Sequence, residues 1–196
     1  MKKIALVVCG LLICSGSAIA QLDSDDDGIG VYFDPCACVN CISLQPGTVE
    51  GYVVVTHPTS PQGVGGYEAK IELTGPGFVT DWRLEGDAIN IGTIPEFMVG
   101  LATPLMNPYT YPAIVIIVFD LMIVDTTEPI NFYIDGIWRH SLPERVPAYL
   151  DGADYDIIKP LQQVTGGPEF AVATINGECA IAIENESWGN VKSLYR

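Results

Sequence analysis

The sequence predicts an all-β fold, an antiparallel β-sandwich in a single domain. Its apolar runs are short and rich in branched and aromatic residues, and 20 Gly and 14 Pro break the 196-residue chain between them. No run of about ten residues or more carries a capped apolar period of 3.6. With 48% hydrophobic and 17% charged residues, the chain holds too much apolar side chain to stay disordered.

Residues 1–20 open with Lys2 and Lys3, continue through an apolar centre at 4–13, and end in Ala18-Ile19-Ala20. A basic start, an apolar middle and an A-x-A end predict a secretory signal peptide cleaved after Ala20. The apolar centre is shorter than the ~20 residues of a spanning helix, so no transmembrane segment is expected after cleavage. Val8 and Ile13 stand before Cys9 and Cys14 where lipid attachment would want a small residue. Residues 21–27 carry four acids and nothing to bury, and read as a mobile acidic head.

The domain is expected over 28–183. Strands are predicted at 28–33 and 48–56, the second held between Pro46-Gly47 and His57-Pro58. Residues 67–73 alternate apolar with charged, and Gly75-Pro76-Gly77 turns the chain into 78–84, a strand, turn, strand unit. The run 113–124, interrupted only by Asp120, reads as a central strand buried on both faces. A further strand is expected at 130–134, and Asn176-Gly177 signals a hairpin between 170–175 and 180–183. The tail 184–196 changes composition and reads as a docked turn or short helix, or as an exposed signal for another protein.

Formal net charge is −15, and removing Lys2 and Lys3 with the leader makes it 7 − 24 = −17. That excludes a nucleic-acid partner on electrostatic grounds. Export leaves Cys36, Cys38, Cys41 and Cys179 where thiols tend to pair, with three pairings open. A Cys41–Cys179 bridge is favoured, because it ties the start of the domain to its end and stabilises by roughly 3 to 5 kcal/mol. Cys36 and Cys38 would close a small ring, and are left as bridged, free or exchanging. Their spacing with Cys41 also has the density of a zinc site, with Cys179 or a histidine as fourth ligand, but secreted proteins rarely use such sites.

Asp23, Asp25, Asp27, Gly28 and Asp34 fit positions 1, 3, 5, 6 and 12 of a calcium loop. The entering helix is missing and 31–33 reads as strand, so a solvated head is expected instead. Asp151, Asp154 and Asp156 form a second acidic loop and a weak calcium candidate; no metal and no cofactor is favoured. His57 and His140, the only histidines, are read as exposed loop residues. No nucleophile, base and orienter can be named, so no catalytic residue is assigned. Trp82 is expected in the core. Trp138, Tyr109, Tyr111 and Tyr149 are read as loop packing, with stacking on a ligand as the alternative.

Val53-Val54-Val55, the segment 65–73, Ala88-Ile89-Asn90-Ile91-Gly92 and the long strand 113–124 resemble, in their order, a cohesin-like sandwich. Cellulosome cohesins and carbohydrate-binding modules share that fold. Gly30-Val31-Tyr32-Phe33-Asp34, the segment 99–104 and the segment 172–179 look similar to uncharacterised secreted bacterial proteins. The resemblance implies a jelly-roll-type sandwich and transfers no ligand. The expected function is a non-catalytic secreted module that binds an extracellular protein or glycan at the bacterial cell surface, in the periplasm or in the matrix. A glycan-active secreted enzyme is the alternative.

Overall fold

The computed structural model describes residues 25–106 and 112–179. The leader 1–20, Asp23, Tyr109, Tyr111, the strand expected at 180–183 and the tail 184–196 lie outside the described residues. The described strands are β1 (Gly28–Tyr32), β2 (Cys41–Ile42), β3 (Gly47–Thr56), β4 (Val64–Thr74), β5 (Gly77–Leu84), β6 (Ala88–Asn90) and β7 (Glu96–Leu105). They continue with β8 (Ala113–Ile123), β9 (Ile130–Asp135), β10 (Ala148–Asp151), β11 (Ile158–Pro160), β12 (Gln162–Gln163) and β13 (Ala173–Ile175). No helix among them is long and apolar enough to cross a membrane.

Among the described residues these strands make two sheets. The five-stranded sheet runs β12-β1-β3-β8-β5. The eight-stranded sheet is organised around β4, which pairs with β7 along one edge, and β7 carries β6 outside it. Along the other edge β4 pairs first with β10 and then with β9. Lys70 lies opposite Asp135 and Glu68 opposite Ala148, so a two-residue step on β4 spans an excursion of the facing strand over 136–147.

The inner faces follow from strict alternation. Ile29, Val31, Val53, Val55, Phe119 and Leu121 of one sheet meet Ala69, Ile71, Phe97, Val99, Phe132 and Ile134 of the other, all buried. Trp82 packs edge-on against Phe97 at 5.1 Å between ring centres, and Phe119 lies 5.2 Å from Phe132. These pairs bridge the sheets, and the half-buried Trp82 packs against the core. Gly51 is needed for this packing, because the Phe119 ring fills the place where its Cβ would stand. The β3–β8 register slips between Val53 and Val54, and the Tyr67 hydroxyl donates to the freed Ile116 carbonyl at 3.0 Å.

Several expectations need correction. The 113–124 strand is central, but it is not buried on both faces: Val115, Val118, Asp120 and Met122 on its outer side are only half-buried. The pairing is not wholly antiparallel: β1 with β12 and β13 with β2 are parallel. The segments 67–73 and 78–84 belong to different sheets, so Gly75-Pro76-Gly77 carries the chain across the core instead of making a hairpin. Residues 170–172 are not strand, and Asn176 clamps β2 by accepting from the Leu44 N–H and donating to its carbonyl.

Asp27 is no part of a free head. Its carboxylate accepts from the Thr59 N–H and hydroxyl, each at 2.7 Å, and from the Tyr149 hydroxyl. Tyr149 is itself buried in β10 rather than packed in a loop. His57 is half-buried with φ at 45°, and its Nδ1 finds no hydrogen-bond partner among the described residues. His140 is half-buried as well.

Candidate functional site

One row of residues crosses the eight-stranded sheet in register: Ile158 of β11, Leu150 of β10, Gly66 of β4, Gly100 of β7 and Ile89 of β6. All five point to the outer face, since Tyr67 and Val99 beside the two glycines point inward. The middle of the row therefore has no side chains and its two ends are apolar. A Cβ on Gly66 would come within 2.7 Å of the Val99 carbonyl oxygen, so that close approach requires glycine. Gly100 faces open space, with nothing within 4 Å of where its Cβ would stand.

The rims are strongly exposed for apolar residues. On one rim Ile89 is 69% and Ile91 76% exposed, with Ile94 next to them in sequence; at the opposite end of the row Ile158 is exposed and Leu150 half-buried. Asn90 stiffens this edge, its side-chain oxygen accepting from the N–H groups of Gly92 at 2.9 Å and Met98 at 3.0 Å. Sequence reading missed these residues as a surface, because isoleucines at alternating positions look like core. The available signal was their setting among Asn, Gly, Thr and Pro.

The excursion 136–147 lies over the same face and is pinned by two carboxylates of the sheet. Glu68, 5% exposed, accepts from the Ser141 N–H and hydroxyl, each at 2.7 Å. Glu96 accepts from the Trp138 N–H at 3.1 Å. The indole of Trp138 is thereby held out at 80% exposure. Arg139 and Arg145 of the same excursion are exposed and make no ion pair among the described residues, whereas Lys70, Arg83 and Lys159 all do. A pocket of about 90 Å³ lies beneath, lined in part by Glu68, Met98, Ser141, Leu150 and Ile158. Small-molecule sites usually enclose roughly 300 to 1,000 Å³. The chemistry on offer is apolar contact, one aromatic anchor and two cations.

The other expected site residues fall elsewhere. Cys41 and Cys179 are bridged across 138 positions, and Cys36 and Cys38 are free thiols. The Cys36 thiol is pushed up to about 12, first by its hydrogen bond to Asp34. Asp34 serves its own loop and does not face Asp27. Asp151 accepts from the Ser60 hydroxyl at 2.7 Å and the Ala153 N–H at 2.8 Å, and pairs with Lys159 at 3.1 Å. Ser60 first, then Ala153 and Lys159, hold its carboxyl down at about 2. Asp154 and Asp156 are exposed on the loop beyond, and the Asp154 carboxylate caps the Asp156 N–H.

No family model matches the chain, and no curated protein matches it. Among solved structures it is similar to the sixth cohesin of Acetivibrio cellulolyticus scaffoldin B, solved with a dockerin bound. That likeness has a TM-score of 0.50 at 10% identity, covering 79% of this chain and 100% of that one. The fold is cohesin-like. The third ScaB cohesin of R. flavefaciens, also in complex with a dockerin, matches at 11% identity and TM-score 0.46, over 78% of this chain and 95% of that one. A non-cellulosomal cohesin from the archaeon Archaeoglobus fulgidus matches at 10% identity and TM-score 0.41, over 69% and 86%.

Proposed function

We propose that the protein is a non-catalytic binding module that takes a protein partner on the outer face of the eight-stranded sheet. The observation that carries this reading is the side-chain-free floor at Gly100, beside the buried Gly66, between an apolar rim at Leu150 and Ile158 and a strongly exposed one at Ile89 and Ile91. Leu150 and Ile89 sit three strand spacings apart, about 14 Å, which admits one α-helix of about 10 Å diameter over Gly66 and Gly100. Trp138 at the edge supplies the kind of rigid, exposed anchor that dominates protein interfaces. The dockerin bound to the similar Acetivibrio cellulolyticus cohesin supports a polypeptide partner over a glycan.

Export to the bacterial cell surface or matrix is part of the proposal. The basic, apolar, A-x-A layout of 1–20 supports it, as does the Cys41–Cys179 bridge, which is stable in an oxidising compartment.

The test is capture of partners from the native secretome by three forms of the chain. The wild type and Thr48→Arg, altered on the outer face of the five-stranded sheet, should retain the same protein. Gly100→Arg should lose it. Equal capture by all three, or retention of polysaccharide alone, would remove the reading.

A further inference from the structure

The segment joining β1 to β2 carries a side-chain cluster that the binding face does not use. Cys41 is committed to Cys179, which leaves Cys36 and Cys38 as half-buried thiols beside a carboxylate. The ligand atoms of Asp34, Cys36 and Cys38 all lie within 4.8 Å of one another, the one such set of three His, Cys, Asp or Glu side chains found among the described residues.

The cluster is held by its own backbone. The N–H groups of Cys38 and Val39 both donate to Asp34 Oδ1 at 2.9 Å, which fixes the carboxylate. Oδ2 is left facing Cys36 Sγ, 2.8 Å away. The Phe33 N–H closes the loop on the Val39 carbonyl at 2.7 Å. Ala37, between the two cysteines, is fully buried with φ at 55°, a conformation alanine adopts only where surrounding contacts impose it. Two thiols and an oriented carboxylate thus converge within one short segment, anchored to the core by Ala37.

We propose that Asp34, Cys36 and Cys38 bind one thiophilic divalent cation of the zinc class, with water in the fourth tetrahedral position. Two sulfur donors select this class over calcium and magnesium, which take oxygen ligands in larger numbers. The backbone donors on Oδ1 play the orienting part that outer hydrogen bonds play for metal ligands. Binding breaks the two S–H bonds and all but one of the hydrated cation's metal–water bonds, forms two metal–sulfur bonds and one metal–carboxylate bond, and releases the two thiol protons and the displaced waters to solvent; no electron is transferred. The ligand set carries three negative charges when bound, which favours a dication.

The experiment uses the full chain, reduced at Cys36 and Cys38 with the Cys41–Cys179 bridge verified, and titrated anaerobically with Zn²⁺ or Cd²⁺. We expect one equivalent to bind, a thiolate-to-cadmium charge-transfer band in the ultraviolet, and at least tenfold slower alkylation of both thiols. Cys36→Ser and Cys38→Ser should each remove the band. Asp34→Asn keeps an oxygen for the two backbone donors and loses the anionic ligand, so it should weaken binding ten- to a hundredfold. The alkylation result on the unmutated chain stands even where a cysteine variant folds poorly. Unchanged thiol reactivity at saturating zinc overturns the proposal, as does equal protection by calcium. A Cys36–Cys38 bridge in protein isolated with zinc present overturns it too.

Discussion

On the outer face of the five-stranded sheet, Arg83 meets Asp120 at 2.7 Å, Glu50 at 2.9 Å and Asp81 at 3.0 Å. Each partner comes from a strand position that the register brings alongside. Asp120 is held below its ordinary range chiefly by that guanidinium, and the Tyr52 hydroxyl, bonded to Glu50, is pushed up to about 12. On the outer face of the eight-stranded sheet, Arg139 and Arg145 have no such partners among the described residues, Gly100 leaves bare backbone beside the buried Gly66, and Ile89 and Trp138 stand exposed. Both faces are partly open to solvent. The first satisfies its own charges in place, and the second leaves apolar rims and cations available to another molecule. Exposure alone therefore does not distinguish a binding face; unsatisfied chemistry does.

The largest effect should come from filling the floor. Gly100→Arg is expected to weaken partner binding at least a hundredfold, about 2.7 kcal/mol, with no change in melting temperature, since its side chain meets nothing in the free protein. Titration calorimetry against the captured partner checks this, with Thr48→Arg as the opposite-face control. If both variants bind alike, the contrast between the faces has no functional meaning.

Trp138→Ala should cost ten- to a hundredfold in affinity and leave stability within about 0.5 kcal/mol, as expected for an exposed anchor. A loss of stability with affinity intact would show that the indole is structural. Ser141→Ala should destabilise by about 1 to 3 kcal/mol in urea melts, because the buried Glu68 carboxylate loses one of its two donors. It should also speed amide exchange through 136–147; unchanged exchange would mean that Glu68 does not pin the excursion.

Acid sharpens the comparison further. Asp151 and Asp120 both have lowered pKa values, so each contributes stability that is complete above about pH 4 and lost as pH falls through the folded value. For Asp151 that limb runs from about pH 4 down to about 2. Asp151→Asn should flatten it, and added salt should leave it largely in place because the side chain is buried. Parallel acid limbs in wild type and variant would refute this. The smallest effect is expected from Arg83→Met: its ion pairs are exposed, so the drop in melting temperature should be barely measurable and should vanish in salt.

Local composition was enough to reveal the long strands. β3, β4, β5 and β8 lie where runs of branched and aromatic residues met Gly and Pro breaks, because a strand's preference is set over a few consecutive side chains. The packing of Trp82 against the core and the pairing of Cys41 with Cys179 were also legible, the latter because a long closed loop gains most from a bridge. β7 was not read as a strand, although Phe97, Val99 and Leu101 alternate, because Gly100 and Pro104 imitate turn signals. The turn at 75–77 gave no hint that it crosses between sheets, and nothing near Asp27 in sequence announced Thr59 and Tyr149.

The binding face itself was decided by tertiary structure alone. Alternation tells that Gly66, Gly100 and Ile89 each lie on one side of a strand, but not which side turns outward or which strands stand next to one another. Those choices depend on pairings far apart in the chain and on register slips such as the one between Val64 and Gly66, where a two-residue step on β4 faces a five-residue step on β7 and the odd difference exchanges inside for outside. The sequence by itself determined that there would be sheets around an apolar core, and it favoured, among three open pairings, the bridge between Cys41 and Cys179. Only the folded chain could bring two glycines of different strands side by side and pin an exposed tryptophan at their edge, because both depend on contacts that exist only once the strands have paired.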